Sequence, residues 1–202
     1  MKPTRWLKKL FAGLTWDLPA FGKEIYLTFD DGPTPRVTRE VLALLRSYNV
    51  KATFFCLGSK AEKFPELLQE IRNEGHQIGN HGYSHISGFT SSIRRYAENA
   101  LKGSQITNSK LFRPPYGRIT PWQISQLKNT HKIILWSILS RDYNQKLTPA
   151  KCIKNVFKNA YPGAIVVFHD NEKASSNVLA ALPDILYELK KQGYQFLTIP
   201  ND

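Results

Sequence analysis

The segment IYLTFDDGPT occupies residues 25–34 and predicts a buried β-strand that ends in two adjacent carboxylates, Asp30 and Asp31. A Gly-Pro pair follows and stops the strand. Neighbouring residues on a strand point to opposite sides. Where the chain bends at the strand end, one acid is therefore available to a metal ion and the other to a proton. An Asp-Gly turn with two solvated acids is the simpler alternative, and the rest of the chain argues against it.

Short β-like runs alternate with amphipathic helical runs along the whole chain, which predicts a parallel sheet covered by helices. About seven such units predict a small, distorted or incomplete (β/α) barrel of about seven parallel strands, with an open doubly wound sheet as the alternative. No G-x-G-x-x-G follows the first strand, so nucleotide binding by that device has no support. After the first strand, further strands are predicted at residues 52–56, 77–80, 110–113, 133–136, 164–168 and 194–199.

Composition is that of an ordinary globular protein, with 202 residues, 42% hydrophobic and 22% charged. The two cysteines, Cys56 and Cys152, are too few for a disulfide framework, and we expect buried free thiols. A net charge of +12 suits an anionic partner. The basic residues are scattered and no nucleic-acid motif is present, so we expect a weakly steering surface and no nucleic-acid partner.

The N-terminal segment, residues 1–22, is basic and amphipathic, with apolar residues from Trp6 to Leu14 along one helical face. We expect this helix to pack on a single domain of residues 23–202, and we favour that over contact with a membrane surface. Its apolar part is too short for a clear signal peptide, and no apolar run is long enough to span a bilayer. The sequence alone therefore leaves the localisation open, and we expect a monomer.

Unusual polar residues follow several of the predicted strands. Parallel β/α folds place their sites at the carboxyl ends of strands, so these side chains are expected to converge. His81 and His85 are spaced i, i+4 in HGYSH, which on a helical turn puts both imidazoles on one face. With one carboxylate they form a two-His, one-carboxylate metal site that leaves a position open for water. The set comprises Asp30, Asp31, His81, His85, Arg113, Asp142, His169 and Asp170.

These residues match a known family over about residues 23–200: the chain resembles the polysaccharide deacetylases of the NodB-homology type, carbohydrate esterase family 4. The first family motif, T-F-D-D, is present as residues 28–31, and the second, H-[S/T]-x-x-H, as residues 81–85 with Gly82 in place of the hydroxyl residue. The third, R-x-P-Y, is residues 113–116. The fourth, D-x-x-D-W, is altered, because Leu139 replaces the first Asp and Tyr143 replaces Trp. The fifth, L-x-H, is residues 167–169.

The resemblance implies a role for each matching residue. Asp31, His81 and His85 would bind one divalent metal ion, with Zn²⁺ first and Co²⁺, Ni²⁺ or Mn²⁺ as alternatives. Asp30 would be the base that takes a proton from the metal-bound water, oriented by Arg113. His169 would be the acid that protonates the leaving amine, supported by Asp142. The substrate-facing residues would be the Tyr116 N–H as oxyanion donor, together with Pro115, Val167 and Tyr143.

The resulting prediction is a metal-dependent deacetylase that hydrolyses the N-acetyl group of N-acetylglucosamine-type residues in peptidoglycan or chitin-like glycans. The departures at Gly82, Leu139 and Tyr143 remove no metal ligand, acid or base, so we expect activity. In particular, Leu139 predicts a thinner carboxylate network behind Arg113. Three alternatives stay open: an amide or imide hydrolase acting on a small non-sugar substrate, a non-catalytic carbohydrate-binding relative, and a basic nucleic-acid binder.

The remaining notable side chains receive structural interpretations. His76 precedes a strand and is predicted to be structural, and His131 is predicted to be an exposed loop residue. Trp122 is predicted to lie in the core, with a position at the groove as the alternative. Asp170 is assigned either to bracing His169 or to capping the segment that follows it.

Overall fold

A computed structural model describes residues 13–201, and within them one sheet of nine strands forms the frame. The strand order is β1-β6-β5-β4-β3-β2-β8-β7, with β9 beside the start of β2, and every strand pair is parallel. The strands are β1 (Leu14–Thr15), β2 (Glu24–Asp30), β3 (Thr53–Cys56), β4 (Gln77–Asn80), β5 (Leu111–Phe112), β6 (Lys132–Ile134), β7 (Ile138–Leu139), β8 (Ala164–His169) and β9 (Gln195–Phe196).

The sheet curls into a half-barrel that ends at β1 and β7 without closing, which confirms the predicted incomplete (β/α) barrel. All seven predicted strands are present in the structure. The strands β1 and β7 were not predicted, because two residues are too few to produce a recognisable alternation of apolar and polar side chains. β7 matters for the site, since it extends the sheet beyond β8.

Seven α-helices cover the sheet in the described part of the chain, and four of them begin at a proline, where the missing N–H costs no helical hydrogen bond. Pro183 lies inside the last helix. The helices are α1 (Pro35–Ser47), α2 (Gly58–Lys63), α3 (Pro65–Asn73), α4 (Ile93–Thr107), α5 (Pro121–Leu127), α6 (Pro149–Asn159) and α7 (Ser175–Lys191).

The core lies between the central strands and the helices. The rings of Phe29, Phe54 and Phe168, from three adjacent strands, stack at centroid distances of 5.0 and 5.8 Å and are fully buried. Such aromatic pairs add stability beyond the area they bury. Cys56 and Cys152 are buried free thiols, as predicted. The centre of the sheet is therefore a rigid support for the loops at its carboxyl edge.

The segment before β2 contributes to the sheet. Leu14, predicted to lie in a helix, belongs to β1 and pairs with β6 instead. Asp17 forms a bridge with Ala164, and the Leu18 N–H donates to the Gly163 carbonyl at the start of β8. The rest of the predicted amphipathic helix, residues 1–12, lies outside the described residues, as does residue 202. Within residues 13–201, every helix is too short or too polar to span a bilayer.

Gly103 lets α4 pack directly against the loop that follows β4, which generates a first prediction. A Cβ at this position would clash with Asn80 Oδ1 and would lie 2.7 Å from the Gly82 carbonyl carbon and 2.9 Å from the Tyr83 nitrogen. Gly103→Ala should therefore lower the free energy of unfolding by about 1–3 kcal/mol, because it overpacks this contact. Urea denaturation measures the change. It should also weaken metal binding, because the displaced loop carries His81 and His85.

Gly22→Ala is the matched control for this variant. Its added Cβ would meet no heavy atom within 4 Å, so its free energy of unfolding should stay within about 0.5 kcal/mol of the parent protein. Equal stabilities of the two variants would contradict the packing argument.

Candidate active site

Strand register brings the predicted polar residues to one edge of the sheet. Asp30, the last residue of β2, is the direct partner of His169, the last residue of β8. On the other side of the sheet, Asn80 pairs with Phe112, so the residues that follow them, His81 and Arg113, are neighbours. Because parallel strands all end at the same edge, residues more than 100 positions apart meet there.

Arg113 is fully buried and forms an ion pair with Asp30. Its Nη1 donates to Asp30 Oδ1 at 2.7 Å and to Thr28 Oγ1 at 2.6 Å. Its other donors reach the carbonyls of Leu135 at 3.0 Å and Ile134 at 3.4 Å. Backbone oxygens thus complete the surroundings of the guanidinium, while Leu139 lines the nearby cavity.

Asp31, His81 and His85 form the one cluster in residues 13–201 that could hold a metal ion, with ligand atoms all within 4.8 Å of one another. Asp31 has a φ of 77°, a left-handed conformation that turns its carboxylate away from that of Asp30. Asp31 Oδ1 lies 3.2 Å from His85 Nε2 and 3.5 Å from His81 Nε2. The HGYSH segment is a loop, so the prediction that a helical turn aligns the two imidazoles is wrong.

The neighbours of this cluster prepare it for a cation. His81 Nδ1 donates to the Arg113 carbonyl at 2.8 Å, which leaves the lone pair on Nε2, the atom that faces Asp31. Burial lowers the pKa of His81 and so favours the neutral imidazole that binds metals. Asp31 Oδ1 is buried and has no hydrogen-bond partner among the described residues, as expected of an atom reserved for an ion.

Asn171 is a site residue that the sequence analysis missed. Its Nδ2 donates to Asp31 Oδ2 at 2.7 Å, and its Oδ1 accepts from the Ala174 N–H at 2.9 Å. It therefore holds the carboxylate that faces the two imidazoles. Its position, two residues after His169 at the end of a strand, is the sequence feature that could have identified it as a site residue.

His169 and Asp142 form a second pair. Asp142 is fully buried, and its Oδ1 accepts from His169 Nδ1 at 2.9 Å while its Oδ2 accepts from the His169 backbone N–H at 2.7 Å. Burial alone lowers the pKa of His169. The charge and the hydrogen bond of Asp142 outweigh it, with help from Asp30 and Asp31, and raise the pKa to about 9. His169 therefore carries a proton at neutral pH.

A cavity of about 500 Å³ opens above these groups. Tyr116 has a φ of 60° and places its ring edge-on to His85 at a centroid distance of 4.3 Å. The hydrogen bonds of the turn at Pro115–Gly117 are donated by Gly117 and Arg118. Of the other residues predicted to face the substrate, Val167 and Tyr143 line the cavity, whereas Pro115 is buried in the turn behind it. Trp136, Leu139, Asn171, Arg118 and Lys173 complete the lining.

The structure also tests the predictions for the side chains that were given structural interpretations. His76 is buried and accepts from the Ala52 N–H, as a structural residue should. His131 is also buried, with Nε2 2.7 Å from Ser104 Oγ, so the exposed-loop prediction is wrong. Trp122 is 72% exposed and does not line the cavity, which contradicts both proposed positions. Asp170 binds Thr38 Oγ1 at 2.6 Å rather than bracing His169.

Comparison with known proteins agrees with this geometry. The family model for polysaccharide deacetylase matches residues 19–131. A peptidoglycan-N-acetylglucosamine deacetylase of Bacillus cereus is 39% identical over 194 residues, covering 92% of this chain and 91% of the relative. A peptidoglycan-N-acetylmuramic acid deacetylase of Bacillus subtilis, PdaC, is 33% identical over 183 residues, which are 88% of this chain and 38% of that longer protein.

Solved structures give the same result. A peptidoglycan N-acetylglucosamine deacetylase in complex with a naphthalenyl N-hydroxybenzamide superposes with a TM-score of 0.90 at 35% identity, over 98% of this chain and 95% of the other. The structure of PdaC superposes with a TM-score of 0.79 at 32% identity, over 90% of each chain. The site and fold define a hydrolase of amide C–N bonds. The chain belongs to the polysaccharide deacetylase family, as the resemblance predicted.

The pair of His169 and Asp142 generates a second prediction. Asp142→Asn should lower the pKa of His169, as measured by NMR titration of the metal-free protein. The substitution removes the negative charge that raises this pKa against the lowering effect of burial. The folded state binds this proton more tightly than the unfolded chain, whose histidine has a pKa of 6.5. The stabilisation is complete below that pH and is lost as pH rises through about 9.

The loss of unfolding free energy in Asp142→Asn should therefore be larger at about pH 6 than at about pH 9.5. Asp184→Asn, at an exposed position on α7, removes the same charge and should leave the pKa of His169 unchanged. An unaltered His169 titration in the Asp142 variant would contradict the assignment.

Proposed function

We propose that this protein hydrolyses the N-acetyl group of N-acetylglucosamine-type residues in peptidoglycan, with Asp30 as base and His169 as acid. The supporting observation is that these two residues lie opposite each other in register and both line one cavity, beside the cluster of Asp31, His81 and His85. An acid and a base in separate environments hold opposite protonation states, which amide hydrolysis requires.

The residues fit a divalent metal, and we propose Zn²⁺ held by Asp31 and by Nε2 of His81 and His85. Two neutral imidazoles and one carboxylate are a typical catalytic zinc set, and the unpartnered Asp31 Oδ1 supports the assignment. When bound, such an ion lowers the pKa of water to about 7 and polarises a carbonyl.

Asp30 acts as the proton acceptor for the attacking water. Its Oδ1 is bound to Arg113, so the carboxylate keeps a set orientation and its second oxygen remains for the proton. The same guanidinium balances a carboxylate that is only 3% exposed.

His169 acts from the other side of the cavity. Its Nδ1 is bound to Asp142, which leaves Nε2 to donate a proton to the departing amine. A protonated state at neutral pH suits this role, because an amine is a poor leaving group until it is protonated. Tyr143 packs edge-on against the imidazole at a centroid distance of 5.2 Å and helps to orient it.

The Tyr116 N–H, which takes no part in the hydrogen bonds of its own turn, is proposed to donate to the developing oxyanion. Pro115 restrains the chain immediately before it. Val167 is 1% exposed in the cavity wall and is paired with Leu139, and both offer apolar surface to an acetyl methyl group.

Peptidoglycan is proposed as the substrate because the reported relatives carry that substrate in their names. We propose N-acetylglucosamine as the residue attacked, and the cell envelope as the place of action. The cavity is built from one chain, which supports action as a monomer. The alternatives of a small-amide hydrolase and of a binding protein are not favoured, because the base, the acid and the three candidate metal ligands are all in place.

Asp30→Asn provides the third prediction. Removing the proton acceptor should lower kcat by about 10²–10⁴-fold with retention of zinc, measured as acetate release and by elemental analysis. Asp184→Asn should match the parent enzyme. Full turnover by Asp30→Asn would contradict the assignment of the base.

The fourth prediction concerns metal affinity. His85→Ala should weaken zinc binding by at least about 100-fold in calorimetric titration, because it removes one of three ligands. Asn171→Ala should weaken it by about 10–100-fold, as loss of an outer-shell partner does. Zinc binding by His85→Ala as tight as that of the parent protein would contradict the ligand assignment.

A further inference from the structure

The net positive charge of this protein lies mostly in one part of the chain, because that part has almost no acids. Residues 99–169 contain eleven lysines and arginines but a single acid, Asp142, so they carry +10 of the net +12. Asp142 is fully buried and bound to His169, and the exposed surface of this region therefore has no acidic group. The basic residues themselves are scattered along the chain, as expected, with 11 of the 28 in this stretch of 71 residues. The asymmetry comes from the near absence of acids, and it bears on the cavity because residues 116–169 provide about half of its lining.

Arg118 is the cation of this region that lines the cavity. Its backbone is held by hydrogen bonds from its N–H to the Pro115 carbonyl and from the Gly88 N–H to its own carbonyl. Its guanidinium lies 5.6 Å from the centroid of the Tyr116 ring, a cation–π distance that restricts the side chain. It forms no ion pair with any acid of residues 13–201.

Lys173 is a second cation in the cavity lining, and it comes from the turn between β8 and α7. Its sequence neighbour Glu172 is paired with Arg36 and so is directed elsewhere. Lys173 likewise forms no ion pair within residues 13–201. It follows Asn171 by two positions, which places it beside the group that holds Asp31.

The acids of the cavity have neighbours other than these two cations. Asp30 is paired with Arg113, and Asp31 lies against His81 and His85. Two exposed cations from separate loops thus remain without a counter-charge at the opening of a site for a glycan. The arrangement suits a ligand that brings its own negative charge, and arginine in particular binds carboxylates in a bidentate manner.

We propose that Arg118 and Lys173 form a carboxylate-recognition subsite, which selects glycan strands whose sugars bear carboxylates over neutral N-acetylglucosamine polymers. This inference rests on the proposed function and names the substrate class for the same site. In peptidoglycan such a carboxylate is either the lactyl group of a muramoyl sugar or an acid of the attached peptide. Because the contact is remote from the bond that breaks, it contributes uniform binding and acts on KM rather than on kcat.

The test uses three substrates: a neutral N-acetylglucosamine tetramer, a peptidoglycan strand freed of its peptides with lactyl carboxylates exposed, and the same strand with peptides attached. The zinc-loaded enzyme should prefer one or both acidic strands by kcat/KM, and the preference should decline with added salt because exposed charges are screened. Arg118→Gln and Lys173→Gln should each reduce the ratio of acidic to neutral kcat/KM on the order of tenfold, through KM. The acidic strand whose kcat/KM advantage over the neutral tetramer falls in these two variants carries the carboxylate that the subsite binds.

Lys128→Gln and Lys154→Gln are the matched controls, since both lysines are exposed in the same basic region and neither lines the cavity. Their ratios should stay within about twofold of the parent value, as screening over a Debye length predicts. An unchanged ratio in the Arg118 and Lys173 variants, or an equal drop in the controls, would overturn the subsite. Failure of the parent enzyme to release acetate from every substrate would instead overturn the proposed function.

Discussion

The buried guanidinium of Arg113 is the constraint on which the rest of the site depends. A charge with no exposed surface is costly unless every donor is used and an opposite charge lies nearby. Asp30, Thr28 and the carbonyls of Ile134 and Leu135 at the end of β6 give each guanidinium nitrogen a partner, and in doing so they tie β2, β5 and β6 together at one edge. The Arg113 carbonyl receives the His81 Nδ1–H as well, so a single residue sets both the orientation of the proposed base and the tautomer of a proposed metal ligand.

The site separates its two proton-handling groups by giving each a different partner. Asp30 faces a permanent cation, the buried guanidinium of Arg113. His169 faces a buried carboxylate, which raises the pKa of the imidazole to about 9 despite burial. Both pairs are largely shielded from water, where their interactions would be weak. One member of each pair, Asp30 and His169, stands on neighbouring strands in direct register. The different partners of the two groups are therefore set by packing rather than by the residue types alone.

Most of the fold and of the candidate site could be predicted from the sequence, and the failures share a cause. The strands from β2 to β6, together with β8 and β9, carry clear apolar patterns, and the motif residues follow strand ends. His131 and Trp122 were misjudged because burial of a single side chain depends on which distant element covers it, and local sequence does not contain that information. The HGYSH loop was misjudged because i, i+4 spacing suits a helix, whereas a φ of 80° at Gly82 turns the chain here.

The sequence by itself determined the alternating α/β architecture, the family and the chemical types of the groups at the sheet edge, since each depends on local periodicity or on a short motif. Only the tertiary structure decided several of the groups that meet: Asn171 with Asp31, Asp170 with Thr38, and Arg118 and Lys173 at one cavity. The physical reason is that hydrogen bonds and ion pairs act over a few ångströms. Which residues come that close is set by strand register and helix packing across the whole chain.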